Sequence, residues 1–64
     1  MLCDSRDIIA RLRQDGFELK SVRGSHHKFF HSVLRRTVIV VHPKSDLPPG
    51  TVRAIYRQAG WQKD

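Results

Sequence analysis

The sequence predicts an α+β domain of order α-β-β-β-α, a three-stranded antiparallel sheet with two helices on one of its faces. Apolar stripes at helical spacing occur near both ends of the chain, and three short runs of aromatic and β-branched residues lie between them. The connections between those runs are short, so consecutive strands must be antiparallel neighbours; a parallel return needs a crossover of about a dozen residues. The 64 residues make a single domain, residues 1–64, that buries only about 60% of its unfolded surface. A deep, walled substrate pocket is excluded at that size.

The first helix is expected in "DSRDIIARLRQDG", where Asp4 or Ser5 can cap the N-terminus and Ile8, Ile9 and Leu12 form one apolar face. Gly16 ends it. Strands follow in "FELKSVR" and "HHKFFHS", separated by the turn residues Gly24 and Ser25, and then in "RTVIVVH", after a basic turn at Leu34 to Arg36. In "PKSDLPPG" three prolines oppose regular structure, and "TVRAIYRQAG" resumes a helical pattern, with Val52, Ile55, Tyr56 and Ala59 on one face and Gly60 at its end.

With both helices on one face of the sheet, the other face is open to a partner. The strand period of two assigns residues to it. His27, Phe29 and His31 share one side and His26, Lys28 and Phe30 the other; Val38, Val40 and His42 alternate with Thr37, Ile39 and Val41. A lysine is poorly suited to a small core, so the side carrying His26, Lys28 and Phe30 is expected to be the open one.

Twelve Lys and Arg against six Asp and Glu give a net charge of +6, with a pI near 10.5, the footprint of a polyanion-binding protein. Between Glu18 and Asp46 there is no carboxylate, while Lys20, Arg23, Lys28, Arg35, Arg36 and Lys44 all fall there. Binding of phosphates by such a segment weakens steeply with salt. Cys3 is the only cysteine, so the chain has neither an internal disulfide nor the paired spacing of a zinc site, which suits a reducing cytoplasm. No apolar run has the length of a membrane span or of a signal-peptide core.

The histidines invite a test for metal binding, and none is expected. His26 and His27 are adjacent and point to opposite faces, while His27 and His31 share a face but stand roughly 13 Å apart at about 3.3 Å per residue. His42 can approach one of them across the sheet, but a second- or third-shell carboxylate to steady such a site is not expected nearby. The same scarcity of carboxylates argues against a magnesium-dependent nuclease. Metal-free cleavage of RNA needs only proton transfers and stabilisation of a charged phosphorane, because the 2′-hydroxyl is the nucleophile. Histidine suits the proton step, its unperturbed pKa of about 6.5 lying near working pH. Lys28, on the same strand face as His26, is placed to stabilise the developing charge. His27, His31 and His42 fall toward the helices or the sheet margin, where a packed or hydrogen-bonded role is expected.

The stretches "LRQDGF", "RGSHHKFFH" and "VVHPKSDLPPGTVRAIYRQAG" resemble, in order and spacing, the HicA toxins of bacterial HicA-HicB toxin-antitoxin systems, from about Ser5 to Trp61. The resemblance rests jointly on Asp15-Gly16, Gly24-Ser25-His26-His27, Phe29, His31, His42-Pro43, Gly50-Thr51 and Ala59-Gly60. It implies a fold like the double-stranded-RNA-binding domain, ribosome-independent mRNA cleavage with growth arrest, and neutralisation by a HicB antitoxin that covers the site. In that family the histidine directly after Gly-Ser is catalytic, which corresponds to His26. The sequence departs from the family pattern at Phe30, where a basic residue is usual, at Ile39, where threonine is common, and at Val41, where proline often precedes His-Pro. All three share the face of His26, which favours an apolar antitoxin contact or self-association.

The reading that results is a cytoplasmic endoribonuclease toxin, an mRNA interferase without cofactor or metal. His26 serves as general base or acid, Arg23, Lys28 and Lys44 hold RNA phosphates, and the free chain is taken as a monomer. The second proton-transfer group stays open among Lys28, Ser25, another histidine and water. Two alternatives use the same charge and fold: a non-catalytic double-stranded-RNA-binding module, which has no need of His26, and a protein-interaction domain built on Phe30, Ile39 and Val41.

Overall fold

The computed structural model describes residues 1–63. It has the expected order: helix α1 (Ser5–Gln14), strands β1 (Glu18–Arg23), β2 (His26–His31) and β3 (Arg36–Val41), and helix α2 (Pro49–Ala59). The three strands form one antiparallel sheet in the order β1-β2-β3, with β2 at its centre. The arrangement is consistent with the double-stranded-RNA-binding-domain fold.

Helix α1 is capped by Asp4, whose Oδ1 accepts the Arg6 backbone N–H at 2.9 Å. The other capping candidate, Ser5, lies inside the helix and is fully buried. Helix α2 begins two residues before the periodic pattern does. A proline at the first helical position forfeits no intrahelical bond, so Pro49 and Gly50 start the helix instead of breaking the chain. Gly60 ends it at φ 77°, its N–H directed at the Arg57 and Tyr56 carbonyls.

The core joins the sheet residues Phe29, Val38 and Val40 to Ile8 and Leu12 of α1 and to Val52, Ile55, Tyr56 and Ala59 of α2; Phe17 and Leu47 close it from the connections. Both helices lie against β3, and every residue of β1 is exposed. The chain returns to α1 after α2: the Trp61 indole N–H donates to Asp15 Oδ2 at 2.7 Å, and the Arg11 guanidinium sits 4.2 Å from the indole centroid. Among the described residues no helix is long and apolar enough to cross a membrane.

One irregularity shapes the open face. Leu19 pairs with Phe29 and Ser21 with Lys28, so Lys20 is an extra residue in β1. Beyond this bulge the sides of β1 are exchanged: Leu19 shares the helix-facing side of Phe29, whereas Ser21 and Arg23 share the open side of Lys28 and His26.

Candidate active site

The two-residue turn Gly24-Ser25 closes the β1–β2 hairpin, with Gly24 at φ 57°, a conformation glycine adopts at no steric cost. His26 is therefore the first residue of β2, directly opposite Arg23 on one side and Val41 on the other. Lys28 is flanked in the same way by Ser21 and Ile39. Directly opposed residues stand about 4.5–5.5 Å apart at Cβ, so these side chains meet. They line a shallow cavity of about 380 Å³ whose walls are Ser21, Arg23, His26, Lys28 and Ile39.

The structure thus brings together three of the four residues expected at the site. Lys44 does not line the cavity. Its backbone is tied to the start of α1, its N–H donating to Ser5 Oγ at 2.9 Å and its carbonyl accepting the Ser5 N–H at 2.9 Å. The loop that carries it leaves the sheet beside the Ser25-His26 corner, because the His42 N–H donates to the Ser25 carbonyl. Lys44 is exposed on that loop, past the end of the sheet where His26 begins its strand.

Ser21 joins the cavity without having been assigned from sequence: strict alternation puts Leu19, Ser21 and Arg23 on one side, and the bulge at Lys20 separates Leu19 from the other two. The signal that finds it is its spacing of two from Arg23, read backward from the turn so that the bulge is not crossed.

The remaining histidines are engaged internally. His31 donates through Nε2–H to the Asp15 carbonyl at 2.9 Å and accepts the Leu34 N–H at Nδ1 at 3.0 Å, which fixes its tautomer. Its ring meets Phe17 edge to face at 5.1 Å. His42 Nδ1 is 2.7 Å from Ser5 Oγ, and His27 Nδ1 donates to the Ser25 carbonyl at 3.2 Å. The rings of His27 and His42 lie edge to face at 5.0 Å. His26 differs: it is exposed, and its ring has no hydrogen-bond partner among the described residues. Neither Arg23 nor Lys28 enters an ion pair among them. Among the described residues no three His, Cys, Asp or Glu side chains converge as metal ligands.

An uncommitted imidazole between two uncommitted cations, in a cavity that no carboxylate lines among the described residues, has the chemistry to handle a phosphodiester: cations can hold its charge and an imidazole can move a proton. A family model described as the HicA toxin of bacterial toxin-antitoxin matches residues 5–61. The chain belongs to the HicA toxin family. It is the toxin of a toxin-antitoxin pair. A comparison with curated proteins gives no match.

In this HicA toxin the apolar departures Phe30, Ile39 and Val41 lie where alternation puts them, on the side of His26. Val41 is directly opposite His26, Ile39 opposite Lys28, and Phe30 opposite Thr37. Phe30 and Val41 are half-buried, while Ile39 is 45% exposed and forms the apolar wall of the cavity. The toxin's site is therefore cationic at its β1 and β2 side and apolar toward β3.

Proposed function

We propose that this HicA toxin is an mRNA interferase, an endoribonuclease that cuts RNA in the cytoplasm without a metal and uses His26 as its proton-transfer group. The observation that carries the reading is the contrast among the four histidines. Three are fixed by internal hydrogen bonds, and the one without such a bond among the described residues lines the cavity with Arg23 and Lys28.

In the cleavage step His26, as base, takes the proton of a ribose 2′-hydroxyl, and the 2′-oxygen attacks the adjacent phosphorus. The developing phosphorane carries additional negative charge, which Lys28 and Arg23 stabilise from fixed positions on neighbouring strands. The bond from phosphorus to the 5′-oxygen breaks, that oxygen takes a proton, and the products are a 2′,3′-cyclic phosphate and a free 5′-hydroxyl. One histidine serves one of the two transfers in this step. Lys28, the Ser21 hydroxyl and water are the groups within the cavity able to serve the other. Ile39 offers an apolar surface for a base or ribose beside the scissile bond.

A HicB antitoxin neutralises the toxin by covering this face. Its acidic and apolar groups would complement the cations on the β1–β2 side and the Phe30, Ile39 and Val41 side.

The test is expression of the wild-type chain and His26→Ala from a tightly repressed promoter, following growth, soluble amount and mRNA integrity. Arrest with mRNA loss is expected from the wild type alone, since loss of an acid-base group costs about 10²- to 10⁴-fold in rate. Equal arrest by both folded chains would remove His26 from the chemistry.

A further inference from the structure

A second concentration of cations lies on α2, the layer behind the sheet. Arg53 and Arg57 are one helical turn apart on its exposed side, and Trp61 and Lys63 follow the Gly60 cap. Gly50, Arg53, Tyr56, Arg57, Trp61 and Lys63 line an open hollow of about 620 Å³. An adjoining hollow of about 370 Å³ shares Trp61 and Lys63 and adds Arg11. No carboxylate lines either hollow among the described residues. The side chains of Arg53, Arg57 and Lys63 make no hydrogen bond or ion pair among those residues.

Like charges at i and i+4 repel, so the Arg53–Arg57 pair weakens the helix unless an anion lies between them. The surroundings leave room for one. Gly50, one turn before Arg53, has no side chain, and a Cβ there would meet only Arg53 Nη2, at 4.0 Å. The opposite wall is fixed, the indole held by Asp15 and covered by Arg11 at 4.2 Å. The hollow is too open to strip water from a single small anion. Cations strung along about 6 Å of helix axis, at 1.5 Å per residue, instead match successive phosphates of one strand.

We propose that α2 is a second RNA contact, in which Arg53, Arg57 and Lys63 hold the phosphodiester backbone away from the cleavage cavity and supply affinity without chemistry. This rests on the reading of the toxin as an RNA-cleaving protein. The cavity at His26 and the α2 hollow lie on opposite layers of a molecule whose shortest extent is 17 Å, so a flexible single strand can engage both by passing around the sheet margin.

The experiment uses the full chain with His26→Ala, which leaves bound RNA uncut. Binding of a fluorescently labelled, unstructured oligoribonucleotide is followed by anisotropy over a range of salt, with and without the added pair Arg53→Gln and Arg57→Gln. Gln and Lys are good helix formers at exposed positions, and circular dichroism checks the fold. The expected result is weaker binding at low salt and a plot of log K against log salt shallower by about 1.4, near 0.7 for each phosphate that is no longer neutralised. Arg53→Lys with Arg57→Lys should restore the slope. An unchanged slope and affinity overturn the proposal, as does a pair of variants that loses antitoxin binding but not RNA binding, which would make the hollow a protein contact. If the His26→Ala reference itself fails to bind RNA, the RNA reading of the toxin falls, and this one with it.

Discussion

A Cβ on Gly16 would stand 2.8 Å from Nε2 of His31. The ring is drawn that close by its bond to the Asp15 carbonyl at 2.9 Å, and Gly16 itself is at φ 99°, where any side chain is strained. His31 thus fastens the end of β2 to the turn after α1. Gly16→Ala is expected to destabilise the fold by about 1–3 kcal/mol from backbone strain, with the ring contact in addition, measured by urea unfolding. In a His31→Ala background the ring is absent, so the double variant should fall short of the summed single effects. Strict additivity would mean that the ring and the turn do not oppose each other.

Lys28 should matter to cleavage and little to folding. It is exposed, without an ion pair among the described residues, so Lys28→Ala is expected to shift stability by no more than about 0.5 kcal/mol. Loss of a hydrogen bond to a charged group is worth about 1.5–3 kcal/mol, which places the drop in single-turnover cleavage of a labelled RNA at about 10- to 100-fold. That is smaller than the effect of His26→Ala. A drop as large as that of His26→Ala would instead make Lys28 the second proton-transfer group.

The order of elements was legible because each rests on a local rule: the stripes of Ile8 and Leu12 and of Val52 and Ile55, the turn at Gly24-Ser25, and the alternation around Phe29. The open face was legible for the same reason, since Lys28 cannot be buried and the period of two carries His26, Phe30, Ile39 and Val41 with it. Two features depend on information that is not local. The bulge at Lys20, which separates Leu19 from Ser21 and Arg23, is a mismatch between two strands and leaves no mark in either strand alone. The place of Lys44 is decided by two hydrogen bonds to Ser5, 39 positions away, one from the Lys44 N–H to the Ser5 hydroxyl and one from the Ser5 N–H to the Lys44 carbonyl, a contact that no spacing in the sequence announces.

Ile39 is expected to serve the antitoxin more than the fold. At 45% exposure it contributes little to the core, and Ile39→Thr keeps a β-branched residue in β3, so stability should change by no more than about 0.5 kcal/mol. If HicB covers this face, Ile39 is buried on binding. Losing part of the roughly 1.5–3 kcal/mol for burial of such a side chain should weaken antitoxin binding by several-fold to about tenfold in calorimetric titration. Unchanged affinity would put the antitoxin contact elsewhere.

The pH dependence of stability should include a contribution from Asp4. The Arg6 side chain, and then the Arg6 backbone N–H, hold its carboxyl below the ordinary value of 3.8, and Asp4 in turn raises Arg6. A lowered pKa in the folded state means that the unfolded chain takes up the proton first. The stabilisation is therefore present in full above the unfolded value and is lost as pH falls through the lowered one. Asp4→Asn retains a capping oxygen but not the charge, so the wild type should melt above Asp4→Asn at neutral pH. The difference should be small, because the Arg6 side chain is 71% exposed and the pair is screened by solvent and salt. It should shrink as pH falls below 3.8 and vanish once Asp4 is protonated, as followed by thermal melts of both chains in parallel. A difference that persists unchanged at the acid end would show that the cap acts through its hydrogen-bond geometry alone and that the Asp4–Arg6 charge pair contributes nothing to the fold.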